Sequence, residues 1–261
     1  MVGKLLKHEL YALFRILVFF AAAVILLAVA GRILIAVLTW QAEQSATAIL
    51  LLSLIIMFYV FSILALVIAA YALGVNRFYR TLFTGEGYMT LSLPATPVQL
   101  ITAKLLSSLI AIIFASVISS LSVAIFLVGW DNSIMQEIYS TFDLLGEIFA
   151  EYIEIEPLIV FEMIMQMIVS LPMALLVLFA IISVGQLFTS NRKLLTFVFM
   201  IATYFIWNTL TTILAIPLSR LSYYVSPHLT NWIVIVIYAG IDVGCFFLIR
   251  YILKNKVNLI A

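Results

Sequence analysis

Few residues in this sequence could do chemistry, and two of them are charged groups inside long apolar runs. Asp242 lies between Gly240 and Gly244, and Arg32 is the one basic residue at a comparable depth. A charge at the centre of a membrane helix costs about 2.5–3.5 kcal/mol on insertion scales, so it should face the bundle or water and take a partner. We expect Asp242 to pair with Arg32, to bond a neighbouring helix in its protonated form, or to line a pathway.

A second group of polar residues repeats at helical spacing and comprises Tyr204, Asn208, Thr211 and Thr212, with Trp207 beside them. Such side chains commonly form hydrogen bonds between membrane helices, each worth about 1 kcal/mol. The same stripe would also suit a polar pathway or the seam of a dimer. These interpretations remain open at the level of the sequence.

A third group is acidic and lies between two apolar runs, in the segment 130–157. One face of a helix there would carry Asp143, Glu147, Glu151 and Glu154. The opposite face would carry Ile138, Phe142, Leu145, Phe149 and Tyr152. This pattern predicts an amphipathic helix on the membrane surface. Its acidic face is either simply hydrated or attracts cationic material.

The patterns of catalytic and metal sites are missing from the sequence. His8 and Glu9 begin a zinc-protease motif, but Ala12 stands where the second histidine is needed. The glycine-rich phosphate loop that ends in lysine is absent, so we expect no ATP site and no cofactor on this chain. Cys245 is the single cysteine, which excludes an internal disulfide. His228 is expected to be a solvated loop residue. An intramembrane enzyme would need a nucleophile with its base, or an acidic metal cluster, and neither is found.

The elements that must position these groups are membrane helices. Hydrophobic residues make up 66% of the chain and charged residues 10%, whereas soluble domains have about 45–50% and about 25%. A span needs about 20 mainly apolar residues. Six windows qualify: Ile16–Leu38, Ile49–Leu73, Leu100–Val128, Ile164–Phe188, Leu194–Ile216 and Trp232–Ile252. We therefore predict an all-α integral membrane protein with about six transmembrane helices in a single domain over 1–261.

The distribution of charge predicts the orientation of these spans. Placing the N-terminus inside leaves only Arg32 and Arg220 of the basic residues on the outer side. The inner segments then hold Lys4, Lys7, Arg15, Arg77, Arg80, Lys104, Arg192, Lys193, Arg250, Lys254 and Lys256. The outer side holds Glu43, Asp131, Glu137, Asp143, Glu147, Glu151, Glu154, Glu156 and Glu162. Cytoplasmic segments are enriched in lysine and arginine, so we expect both termini to be cytoplasmic.

The N-terminal segment 1–15 places Leu5, Leu6, Leu10, Leu13 and Phe14 along one helical side, away from most of its charges. This pattern predicts a short amphipathic helix in the inner headgroup layer that turns into span one. The apolar run that follows is too long for the core of a signal peptide, so we expect a retained span.

The inner loop 74–99 between spans two and three is more elaborate than a simple connector. Asn76–Phe83 is predicted to be a short helix, broken by Gly85 and Gly87. Pro94 and Pro97 stop any continuation and restart the chain near the first turn of span three, where proline is tolerated. We expect a cytoplasmic knob with exposed aromatic residues, which would lie in the interface or fill a groove of a partner.

This loop resembles the ABC-2 type permeases of ATP-binding-cassette exporters. The likeness rests on the arginine- and aromatic-rich helix, on Thr84–Tyr88, on Leu91–Pro94, and on Gln99-Leu100 with Ala103–Leu106. The basic ending Ile252–Leu259 and the N-terminal Lys4–Arg15 look like the tail and the connecting helix of that family. Relatives carry outer helices between spans five and six, whereas the large outer insertion follows span three here.

The resemblance implies a coupling element that docks on a separate nucleotide-binding ATPase, which would carry ATP and Mg²⁺. The docking and supporting residues implied are Arg77, Phe78, Tyr79, Arg80, Leu82, Phe83, Glu86, Gly87, Tyr88 and Pro94. Two permease subunits, identical or paralogous, would form the pathway in the plasma membrane of a bacterium. The cargo expected is a hydrophobic or cationic peptide, a drug or a lipid-like molecule. The alternative is an ATP-independent channel or a structural membrane scaffold.

Overall fold

The protein is all-α and is built from six long helices. The computed structural model describes residues 2–42, 46–84, 86–87, 92, 95–127, 140, 143–144, 146–147, 157–188, 192–224 and 226–255. The helices are α1 (Val2–Ala42), α2 (Ala46–Phe83), α3 (Pro97–Leu127), α4 (Pro157–Gly185), α5 (Arg192–Tyr224) and α6 (Pro227–Asn255). Within those ranges there is no β-strand. Each helix holds a stretch long and apolar enough to cross a membrane, which confirms the six-span, multi-pass prediction.

The helices are longer than the predicted spans. The shortest has 29 residues and the longest 41, while about 20 residues cross the hydrocarbon core. The N-terminal segment is helical, as predicted, but no break separates it from span one, because α1 runs as one helix from Val2 to Ala42.

Two compact units can be distinguished, and α1, α2 and α3 each contribute to both. One unit comprises Leu6–Gly74 and Leu106–Ile148. Within it, α1 and α3 meet where the rings of Phe14 and Phe114 pack edge-on at 4.8 Å between centroids. Tyr59 of α2 stacks on Phe126 of α3 at 4.2 Å and hydrogen-bonds to Ser122 at 3.0 Å. Aromatic packing therefore joins α3 to α1 and to α2 in this unit, and a buried hydrogen bond adds to the second contact.

Small residues let α2 and α3 approach closely in the same unit. A Cβ on Gly74 would lie 3.0 Å from the Cβ of Ser108, closer than side chains normally come. Small residues recur along α3, and four of them are buried: Ser108, Ala111, Ala115 and Ser122. These residues serve packing, which is the role that small residues usually have between membrane helices.

The other unit comprises Met1–Leu5, Val75–Leu105 and Phe149–Ala261. It contains the ends of α2 and α3 that face the loop 84–96, together with α4, α5 and α6. Its core is a cluster of apolar side chains, named here the inner cluster: Phe78, Leu82, Phe83, Leu100, Ile101, Leu176, Phe179, Ala180, Ile182, Ile249 and Leu253. By contrast, the most apolar stretch of α5 has no buried residue.

Candidate functional site

The segment predicted to couple to a partner is the last part of α2. The expected short helix Asn76–Phe83 is helical but not separate, because α2 continues through Gly74 to Phe83. Gly74 was taken as the start of a loop, yet it lies inside the helix where α3 comes close. The helix ends just beyond, and the amide of Gly87 donates to the carbonyl oxygen of Thr84 at 2.7 Å.

Phe78 and Phe83 of this segment are core residues, so the prediction that these two aromatic side chains are exposed was wrong. Phe78 and Leu82 have no exposed surface, and Phe83 is 9% exposed. Phe78 stacks on Phe179 of α4, with 4.0 Å between ring centroids and 3° between the ring planes. A ring buried in this way cannot fill the groove of another protein. These side chains pack against other helices of the same chain. Helical periodicity shows that they share a face but does not show whether that face meets another helix of the chain or a partner protein.

The inner cluster joins four helices at one end of the unit. The end of α2 contributes Phe78, α3 contributes Ile101, α4 contributes Phe179, and α6 contributes Ile249. Interiors packed in this way transmit displacement, because few voids are available to absorb it. The end of α2 is therefore packed together with α3, α4 and α6.

Arg80 and Glu86 form an exposed ion pair at the end of α2, next to the inner cluster, and we name this pair the polar edge. Arg80 Nη2 lies 3.1 Å from Glu86 Oε1, and the two side chains are 61% and 53% exposed. Exposed ion pairs of this kind contribute about 0–1 kcal/mol. Arg77 and Tyr79 are partly buried. Tyr88 and Pro94, which were also assigned to this site, lie outside the described residues.

Lys104, near the start of α3, is a buried cation beside the same segment. It is 3% exposed, and its Nζ donates to Thr81 Oγ1 on α2. Thr81 in turn donates to the carbonyl oxygen of Arg77 at 2.7 Å. The start of α3 is held by a reciprocal cap, since Thr96 N donates to Gln99 Oε1 and Gln99 N to Thr96 Oγ1. Such a capping box with proline at the first helical position is a strong helix start. It confirms the predicted restart at Pro97.

The polar stripe of α5 faces away from the rest of its unit. Tyr204, Asn208 and Thr212 are all exposed. The threonine hydroxyls bond to their own helix, with Thr212 Oγ1 donating to the carbonyl oxygen of Asn208 at 2.8 Å and Thr211 Oγ1 to that of Trp207 at 3.0 Å. The amide of Asn208 reaches the carbonyl oxygen of Tyr204 only at 3.5 Å. An amide this loosely held is the group in the stripe that gains most from another partner.

Asp242 and Arg32 stand in different units, and their pairing stays a prediction. Asp242 lies in α6 and is partly buried. Its Oδ1 is buried and has no hydrogen-bond partner among the residues that the structure describes. Arg32 is partly buried in α1. Of the acidic surface face, Asp143 and Glu147 are exposed, whereas Glu151 and Glu154 lie outside the described residues.

Sequence reasoning missed one polar cluster. Glu162 of α4 has no exposed surface, and its carboxylate accepts from Asn231 Nδ2 at 2.9 Å. His228 Nδ1 lies 3.2 Å from both carboxylate oxygens. The prediction that His228 is a solvated loop residue was therefore wrong, because it belongs to the first turn of α6. Glu162 was grouped with the acids of the outer side and given no partner, since no local pattern links residues 66 positions apart. The sequence offered one weak signal for this cluster. Glu162 stands at the edge of an apolar run, and His228 and Asn231 are spaced one helical turn apart before another run.

Among the described residues, no three or more His, Cys, Asp or Glu side chains lie close enough together to hold a metal ion. Comparison of the chain with protein-family models, with curated proteins and with solved structures finds no match.

Proposed function

We propose that this protein is the permease subunit of an ATP-binding-cassette exporter in the plasma membrane of a bacterium. Two such subunits would form the pathway, and a separate ATPase would bind ATP and Mg²⁺. The proposal is supported by the arrangement of side chains at the end of α2. There an exposed polar edge, Arg80 and Glu86, lies next to a buried cluster that contacts three other helices.

The polar edge has two properties suited to docking a partner protein, namely exposed charges and a well-packed helix beneath them. Its two side chains are exposed and carry opposite charges, so they can pair with complementary charges on a partner. The helix end beneath them is rigid because Phe78 and Leu82 are fully buried. A movement of the partner ATPase that displaces Arg80 would therefore also displace Phe179 of α4 and Ile249 of α6, because the side chains between them are closely packed. This corrects the role proposed from the sequence, since Phe78 and Phe83 would transmit the movement and would not dock.

The second permease would pack on α5. Its apolar stretch is unburied within one chain, and its stripe holds the loosely bonded amide of Asn208. A second α5 would bring a partner for that amide, and polar groups between membrane helices favour association by up to about 1–2 kcal/mol each. The cargo would be a hydrophobic or cationic peptide, a drug or a lipid-like molecule that moves between the two chains.

The test is purification of the tagged full chain from its native membrane in a gentle detergent, followed by mass spectrometry. We expect a stoichiometric partner with a phosphate-loop ATPase sequence. The double variant Arg80→Glu with Glu86→Lys should lose that partner while the chain remains folded. The matched control is Lys254→Glu, which reverses an exposed cation at the C-terminal end of α6. This variant should retain the ATPase.

Two outcomes would overturn the proposal. Recovery of the folded chain alone under several solubilisation conditions would favour a channel or a structural scaffold. Equal loss of the ATPase in the Arg80 and Lys254 variants would mean that the polar edge is not the docking point.

A further inference from the structure

Helix α1 has two opposite faces with different surroundings. One face is packed inside its unit and carries Leu13, Leu17, Ala21, Val24 and Ala28, each at most 4% exposed. Phe14, next to this face, packs on Phe114 of α3. Because these contacts hold the helix in one rotational setting, its other face is fixed as well.

The exposed face changes character along its length. Val18, Leu26, Val29 and Ile33 recur at helical spacing and are exposed. In a six-span protein such an apolar face meets the acyl chains of lipids. Towards the N-terminus the same face carries Arg15, Tyr11, His8 and Lys7, all exposed, with Tyr11 at 75%. The basic stripe is therefore the direct continuation of the lipid-facing stripe.

With the hydrocarbon edge taken at Val18, the distances along the helix put Arg15 inside the headgroup layer. They put Tyr11, His8 and Lys7 on its aqueous side. At about 1.5 Å per residue, Arg15 lies about 5 Å and Tyr11 about 10 Å below Val18 along the axis. The headgroup layer of one leaflet is about 5–8 Å thick. Lys7 and His8 lie one turn further, and a long lysine side chain can reach back towards that layer. Tyrosine and arginine at this depth are typical of a membrane interface.

We propose that Lys7, His8, Tyr11 and Arg15 form a binding stripe for anionic phospholipid headgroups of the cytoplasmic leaflet. The chemistry recognised is a phosphodiester with net negative charge, held by the lysine and arginine, with the tyrosine and histidine as further donors. The one acid in the described part of α1 is Glu9, which is partly buried and lies off this face. The proposal uses the predicted orientation of the chain and does not depend on an ATPase partner.

The measurement is retention of lipid by the purified full-length chain in detergent micelles. Native mass spectrometry would count bound phosphatidylglycerol and phosphatidylcholine added at equal concentration, with inorganic phosphate as a competitor. We expect phosphatidylglycerol to be retained preferentially, with no displacement by inorganic phosphate at millimolar concentration. Each basic residue near a membrane surface contributes about fivefold in binding. The double variant Lys7→Gln with Arg15→Gln should therefore bind about 25-fold more weakly.

Two further variants separate the stripe from general charge. Arg220→Gln removes an exposed cation of α5 that the predicted orientation puts on the outer side, and it should leave lipid retention unchanged. Lys7→Arg with Arg15→Lys keeps both charges and should preserve it. Equal losses in the α1 double variant and in Arg220→Gln would overturn the proposal, as would equal retention of the two lipids. A change of oligomeric state in the double variant, seen by size-exclusion chromatography, would also overturn it, since the face would then belong to a second copy.

Discussion

Nδ1 of His228 lies 3.2 Å from both carboxylate oxygens of Glu162, a side chain with no exposed surface. Asn231, one turn further along α6, donates to the same carboxylate at 2.9 Å. The carboxylate thus lies at the N-terminal end of α6, where the helix dipole favours negative charge. This contact ties the start of α4 to the start of α6 and satisfies a carboxylate that would otherwise be buried without partners.

Removal of the Glu162 carboxylate should destabilise the protein. Glu162→Ala leaves Asn231 and His228 without their acceptor, and losing a charge-assisted hydrogen bond costs about 1.5–3 kcal/mol. We expect a clear fall in the midpoint of thermal unfolding in detergent, followed by tryptophan fluorescence. Glu162→Gln keeps an acceptor oxygen and should fall less. Glu147→Ala, at an exposed acid, is the control. Equal midpoints for Glu162→Ala and Glu147→Ala would show that the contact contributes nothing.

Phe78 should behave as a core residue. Phe78→Ala removes a fully buried ring that stacks on Phe179, and such truncations cost about 3–5 kcal/mol. Phe78→Leu fills more of the space and should cost less. Arg80→Ala breaks only an exposed ion pair and should leave thermal unfolding within about 1 kcal/mol of the unchanged protein. If Phe78→Ala unfolded at the same temperature as Arg80→Ala, the inner cluster would not be packed as described.

Gly185 should not tolerate a side chain. A Cβ there would lie 3.0 Å from Thr196 Cβ and 3.1 Å from Thr196 Cα, so the end of α4 and the start of α5 would have to separate. Overpacking of this kind costs about 1–3 kcal/mol, and Gly185→Ala should lower the yield of folded protein on size-exclusion chromatography.

The control for Gly185 is Gly240→Ala in α6, where no atom lies within 4 Å of the added Cβ. This substitution should be neutral or stabilising by up to about 1 kcal/mol, because alanine is the better helix former. Partial rescue of Gly185→Ala by Thr196→Ser would support the steric explanation. An unaffected Gly185→Ala variant would refute the close approach of the two helices.

If α5 forms the seam between two permeases, cysteines on its polar stripe should cross-link between chains. Thr212→Cys in a Cys245→Ala background would give a disulfide-linked dimer on mild oxidation in native membranes, since bridging needs Cα atoms within about 7 Å. Leu26→Cys, on the exposed face of α1, should stay monomeric. A dimer through Leu26→Cys and none through Thr212→Cys would place the seam on α1 and contradict the lipid-binding stripe as well.

The spans and the start of α3 could be predicted because they depend on local properties. An apolar run of membrane length must satisfy its backbone hydrogen bonds within itself, so it becomes a helix. Thr96, Pro97 and Gln99 form a start signal within four residues. The continuation of α2 through Gly74 could not be predicted in this way. Glycine is common in loops, so Gly74 was taken as a loop residue. In the structure it lies inside α2, where the lack of a side chain leaves room for Ser108 of α3.

The sequence by itself determined that the chain is an all-α membrane protein with six helices, because composition and run length decide that outcome one segment at a time. The tertiary structure alone decided which polar and aromatic side chains are inside. Phe78 was predicted to be exposed and is buried against Phe179, and His228 was predicted to be solvated and contacts Glu162. The physical reason is that such contacts depend on the rotation and axial offset of one helix against another. Those two quantities arise from packing between distant segments and leave no periodic signal in either segment alone.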